Sequence, residues 1–117
     1  MEIRNIALSM IDNFEKRPVV TQGEYNLSFG DGKYKGELLN GEPHGYGEAK
    51  YKNMTYEGHW KECLRHGYGV EIYESGNLFE GNFSHGRRCG YGVLYYADGS
   101  QDAGQWLGNK LSGYGRR

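Results

Sequence analysis

The chain has 117 residues, 15% aromatic and 25% charged, with a formal net charge of −1 at pH 7. That length accommodates one domain, and the near-neutral balance excludes a general drive toward nucleic acid, so no nucleic-acid partner is expected. Two cysteines, no leader-like apolar core and no apolar run approaching the ~18 residues of a membrane span predict a soluble, cytoplasmic chain with reduced thiols, with Met1 as its natural start.

Residues 1–17 differ in kind from the rest. Ile3, Ile6, Ala7, Met10, Ile11 and Phe14 recur at helical spacing, with Arg4, Asp12, Glu15 and Lys16 between them. The spacing predicts one short amphipathic N-terminal α-helix, stopped at Pro18, whose ring and missing N–H do not fit a helix interior. Its apolar stripe is expected to cap the first repeat of the array that follows. Its balanced charge lacks the positive excess of a membrane-surface helix.

Residues 18–33 read as a degenerate leading half-repeat. Val19 to Phe29 looks extended, and Gly23-Glu-Tyr25 lies 22 residues before Gly45-Tyr-Gly47. Gly30-Asp31-Gly32 supplies a turn.

From residue 34 to 117 one phrase is written four times, starting near 34, 56, 79 and 102, the last copy incomplete. Its first half carries Tyr34, Gly36 and Leu38, then Tyr56, Gly58 and Trp60, then Phe79, Gly81 and Phe83, then Asp102, Gly104 and Trp106. Its second half carries Gly45-Tyr46-Gly47, Gly67-Tyr68-Gly69, Gly90-Tyr91-Gly92 and Gly113-Tyr114-Gly115. A fixed period of this size marks a solenoid whose units bury apolar surface only by stacking on neighbours. Most of the 20 glycines fall on the periodic positions, so they are placed and not scattered.

Within a copy Tyr56, Gly58 and Trp60 alternate on one face of a strand. A connection over Lys61 to His66 leads to a second strand. There Gly67, Gly69, Glu71 and Tyr73 share one face and Tyr68, Val70 and Ile72 the other. Turns at Ser75-Gly76 and Asp98-Gly99 return the chain. The fold expected is mainly β: an open, single-layer, twisted antiparallel sheet of stacked β-hairpins, with large rings lying over the glycines of neighbouring strands.

Tyr-x-Gly-x-Trp, then His-Gly-x-Gly, then Tyr, then Asp-Gly or Ser-Gly resembles the MORN repeat. Tyr56, Gly58, Trp60, His66, Gly67, Gly69, Tyr73 and Gly76 match one copy almost completely. The resemblance implies an interaction surface, a non-catalytic scaffold or adaptor in cytoskeletal, flagellar or membrane-junction assemblies, associated in some members with acidic phospholipid. Asp102 for an aromatic, Leu38 for Trp, and Cys89 and Ser112 for His depart from the pattern. The unfinished last hairpin leaves an open sheet edge, which is expected either to mark a truncated chain or to serve self-association.

Two surfaces are candidates for function. Tyr46, Tyr68, Tyr91 and Tyr114, with Val70, Ile72, Val93 and Tyr95, form an aromatic stripe expected to bind a helical or extended segment of a protein partner, because exposed apolar patches mark such sites and Tyr concentrates interface energy. Arg65, His66, Arg87, Arg88 and Lys110 are expected in the connections, lined up as a basic edge for acidic phospholipid headgroups. Cys63, His66, His85 and Cys89 are zinc-ligand types, but His66 and Cys89 occupy the repeat position of His44, which explains them without a metal. The Gly-x-Gly pairs recur inside strands, not between a strand and a helix, so they are not phosphate loops. No catalytic constellation stands out from the repeat background, and no cofactor or enzyme activity is expected.

Overall fold

The computed structural model describes residues 19–28 and 30–112. The N-terminal helix expected over 1–17, the Gly113-Tyr114-Gly115 copy and Phe29 lie outside the described residues. The strands are β1 (Val20–Asn26), β2 (Lys33–Leu39), β3 (Glu42–Lys50), β4 (Met54–Lys61), β5 (Leu64–Tyr73), β6 (Leu78–Ser84), β7 (Arg87–Tyr95), β8 (Gln101–Leu107) and β9 (Lys110–Leu111). They form one open sheet in sequence order, each pair of neighbours antiparallel. The molecule measures 70 × 30 × 19 Å, the proportions of a single layer.

One end of the sheet is a row of two-residue turns: Asn40-Gly41, Glu62-Cys63, His85-Gly86 and Gly108-Asn109, all with positive φ at both residues. This is the type I′ hairpin, whose twist matches that of the flanking strands. Neighbouring turns are stitched by backbone bonds: the Cys63 N–H donates to the Pro43 carbonyl and the Gly86 N–H to the Arg65 carbonyl. The connection expected over Lys61 to His66 is therefore only Glu62-Cys63. Arg65 and His66 lie inside β5, and Arg87 and Arg88 inside β7, because so short a turn lets the ladder resume at once.

Across the sheet runs an unbroken row of glycines: Gly23, Gly36, Gly47, Gly58, Gly69, Gly81, Gly92 and Gly104, each opposite the next. This corrects the repeat alignment of β1. Gly23 faces Gly36 as Gly47 faces Gly58, so it is the counterpart of Gly47 and not of Gly45. The longer connection between β1 and β2 absorbs the difference.

The two glycines of each Gly-Tyr-Gly do different work. The ladder shifts register between Gly58 and Trp60, leaving His59 opposite three residues of β5, and Gly67 in that bulge takes φ 86°, a conformation glycine adopts without steric cost. Gly69 instead lies under a ring: a Cβ there would stand 2.4 Å from Tyr56 Cε2. Tyr34 covers Gly47 and Phe79 covers Gly92 in the same way. Ring on glycine is thus the repeated core contact.

These rings join into a ladder along one face. Tyr34, Trp60, Tyr56, Phe83, Phe79 and Trp106 meet edge to face in that order, with centroids 5.0 to 5.5 Å apart, the geometry that aromatic quadrupoles favour. All six are buried. Each contributes roughly 1.5–3 kcal/mol through burial, so one face of a single layer becomes a core without a second layer.

Candidate functional site

The two faces of the sheet present different chemistry, and strand alternation decides which residue goes where. On the ring-lined face the indole Nε1–H of Trp60 donates to the Gly47 carbonyl and that of Trp106 to Gly92, both at 3.0 Å. The Tyr34 hydroxyl donates to the Glu37 carbonyl at 2.5 Å and the Tyr56 hydroxyl to the His59 carbonyl at 2.8 Å. Those carbonyls belong to the bulges, where the ladder offers no regular partner. Burial pushes the Tyr34 phenol up to about 12, aided by the Glu37 charge, and raises Tyr56, Tyr51 and Tyr73 as well.

A charged cluster sits among these rings. Glu71 is buried, accepting from Arg65 Nη1 at 2.6 Å and from Arg88 Nε at 2.8 Å. The Arg65 guanidinium lies 5.5 Å from the Tyr56 ring centroid and that of Arg88 4.5 Å from Phe79. Arg88 also donates to the Tyr73 hydroxyl at 2.8 Å, and Arg65 to the Gly86 carbonyl at 3.0 Å. Arg65 and Arg88 occupy the same place in consecutive hairpins, opposite Trp60 and Phe83.

That placement divides the basic set read from the sequence. Arg65 and Arg88 turn inward onto rings and Glu71, with side chains only 18% and 12% exposed. Arg87 and Lys110 are exposed, and the His66 ring meets His85 edge to face at 5.8 Å. The single basic edge expected from connections is absent among the described residues, because the arginines alternate within strands.

A groove of about 530 Å³ opens on the ring-lined face, lined by Tyr25, Leu27, Tyr51 and Trp60 and, near the turns, by Cys63, Leu64, His85 and Asn109. The Cys63 thiol lies 3.8 Å from the Tyr25 hydroxyl, and burial pushes it up. Among the described residues no three His, Cys, Asp or Glu side chains gather to hold a metal, so Cys63, His66, His85 and Cys89 do not converge.

The other face carries the tyrosine stripe. Tyr46, Tyr68 and Tyr91 are 55%, 51% and 57% exposed, and Ile72 and Tyr95 are exposed beside them. Val70 and Val93 lie half-buried in the next row. Glu80 orients two of the rings, accepting from the Tyr95 hydroxyl at 2.9 Å and from Tyr68 at 3.4 Å. The described members of the sequence-read stripe therefore share one face, opposite the groove. Sequence reasoning missed the polar residues between the rings: Tyr46 faces His59, Tyr68 faces Asn82 and Tyr91 faces Gln105. The signal available was the residue between the glycine and the second aromatic of each copy.

With hairpins, bulge glycines and ring ladder in place, the comparison with known families is decisive. The MORN repeat family model matches residues 34–53, 56–78, 79–101 and 103–117. The chain belongs to the MORN repeat family. Its relatives include Alsin of Rattus norvegicus, Mus musculus and Homo sapiens, each 43% identical over 60 residues, covering 45% of this chain. The matched stretch spans only 4% of the length of those relatives. MORN repeats serve in general as protein- or membrane-binding modules and are not an enzyme family.

Proposed function

We propose that this MORN array is a non-catalytic scaffold or adaptor that holds a protein partner on its exposed tyrosine stripe. The observation carrying this reading is the exposure of Tyr46, Tyr68 and Tyr91 along one face, while Tyr34 and Tyr56 on the opposite face are buried. Nothing within the sheet needs the exposed rings, and Tyr is enriched where binding energy concentrates. Three aromatics in a line on a rigid sheet also bind with little ordering cost.

A photo-crosslinking residue in place of Tyr68, with the same residue at exposed Gln22 as control, tests the proposal in cells. The expected result is a discrete protein adduct at position 68 that persists in high salt, because apolar contacts are not screened. Equal adducts at both positions would defeat it. If the adduct vanishes in high salt and the chain instead sediments with acidic vesicles, the array is a phospholipid adaptor acting through Arg87 and Lys110. A protein adduct made with another copy of the chain would make self-association the partner.

A further inference from the structure

The outer face carries a regular alternation that goes deeper than exposure. Tyr46, His59, Tyr68, Asn82, Tyr91 and Gln105 succeed one another on β3 to β8, one residue per strand, and all six are exposed. His59 and Asn82 stand at the register shifts that couple one tyrosine to the next. A ring therefore alternates with a side chain able to donate a hydrogen bond. The His59 ring meets that of Tyr46 edge to face at 6.0 Å, and Glu80 fixes the Tyr68 ring from the flanking row.

Spacing distinguishes which partner backbone fits such a row. Neighbouring strands lie about 4.8 Å apart, so successive tyrosines stand about 9.6 Å apart at the backbone. A polyproline II helix repeats every three residues, or about 9.3 Å. Over three tyrosines the mismatch reaches only about 0.6 Å. An α-helix laid across the strands repeats a heptad every ~10.5 Å and drifts by about 1.8 Å over the same span.

Hydrogen bonding points the same way. An α-helix satisfies its own carbonyls, so His59, Asn82 and Gln105 would meet an apolar helix face with nothing to bond. A polyproline II segment has no internal hydrogen bonds and presents its carbonyls outward. Rings packing prolines, with donors between them reaching carbonyls, is how polyproline recognition works in general. The flanking row adds charge: Glu48, Glu57 and Glu80 lie beside the stripe, and the Glu57 carboxyl is held above its usual range by its hydrogen bond with Glu48.

We infer that the tyrosine stripe is a docking surface for a proline-rich polyproline II segment carrying Lys or Arg, with prolines seated against Tyr46, Tyr68 and Tyr91 and cations toward Glu57 and Glu80. This rests on the stripe being the partner-binding surface, and it names the partner's class.

The test is titration of the intact chain, followed by backbone amide NMR, with three synthetic peptides. One has nine consecutive prolines with a lysine at each end, the second is a Gly-Ser peptide with the same lysines, and the third is a lysine-bearing amphipathic leucine-heptad helix. The expected result is saturable shifts centred on Tyr46, His59, Tyr68 and Asn82 with the proline peptide alone. Tyr68→Ala should weaken that binding about tenfold, while Tyr68→Phe retains it. Equal shifts with the Gly-Ser peptide would reduce the effect to charge, and no saturable shift would remove the site; either overturns the inference. Tighter binding of the helical peptide on the same stripe overturns it too, yet leaves the partner-binding reading standing. If crosslinking at position 68 also yields no protein adduct, both readings fall.

Discussion

Tyr56 and Tyr68 are twelve residues apart in one repeat, yet the first is wholly buried and the second half exposed. The difference lies in what each ring meets. Tyr56 lies over Gly69 on the neighbouring strand and closes against Trp60 and Phe83. Tyr68 points the other way, above Asn82, a residue with a side chain of its own. A glycine row thus lets a single-layer sheet turn one face into a core and leave the other exposed.

Conditions or substitutions that act on the ring face should be felt throughout the fold, and the largest effect should come from pH. Tyr34 and Tyr56, with Tyr51 and Tyr73, are held neutral by burial, each with its pKa raised above the ordinary 10.0. Because the folded pKa lies above the unfolded one, this stability is full below pH 10. It is lost progressively as the pH rises toward about 12, where Tyr34 ionises even when folded. Phenolate absorbance of these rings and loss of the far-ultraviolet sheet signal should therefore rise together above pH 10. Full ionisation with the sheet intact would show that the ladder is not the core.

Glu71→Ala should come next, at about 3–5 kcal/mol in urea unfolding. It strands two guanidinium groups among rings, and breaking a buried pair leaves an uncompensated charge. Gly69→Ala should cost about 3 kcal/mol, since its methyl meets the Tyr56 ring at 2.4 Å and overpacks the face. Gly99→Ala is its control: φ is 93° there with nothing within 4 Å, so only backbone strain of about 1 kcal/mol remains. Gly69 has no positive φ of its own, so a cost there no larger than at Gly99 would mean that the Tyr56 ring does not select Gly69. Tyr56→Phe keeps the ring and orphans the His59 carbonyl, for about 1 kcal/mol. Phe79, which replaces tyrosine in the next hairpin, shows that the array tolerates that loss once.

Much of this contrast was legible in the residues themselves. The spacing of Tyr56, Gly58, Trp60 and Gly69 gave the hairpins, the ring-on-glycine contact and the division into two faces, because period-two alternation is local. The length of the turn was not legible. Glu62-Cys63 adopts left-handed conformations without the Asn-Gly signal that Asn40-Gly41 supplies. Reading that turn as a longer loop displaced Arg65 and Arg88 from strands into connections, and so misplaced the basic surface. The buried cluster had a signal that went unread: alternation already put Glu71 on the ring face, at the place of Ala49 and Leu94 in other copies. A carboxylate there needs a cation. The shift of β1 by two residues was hidden because strand register depends on the unknown length of its connection.

The smallest effect on stability should be the most informative about function. Tyr68→Ala removes a ring that is half exposed, covers no glycine and holds one long hydrogen bond of 3.4 Å to Glu80. Its cost in urea unfolding should be below about 0.5 kcal/mol, the range of surface substitutions. Glu80 keeps its 2.9 Å bond from Tyr95, so the flanking row stays ordered. Adding Tyr46→Ala and Tyr91→Ala should raise the total nearly additively, since alternate strands separate the three rings by about 9.6 Å. A triple variant that unfolds would mean the stripe is a second core, and its exposure no sign of a partner. A triple variant nearly as stable as the parent shows that the outer rings are not needed to hold the sheet together, and sets Tyr56, which the fold needs, against Tyr68, which it does not.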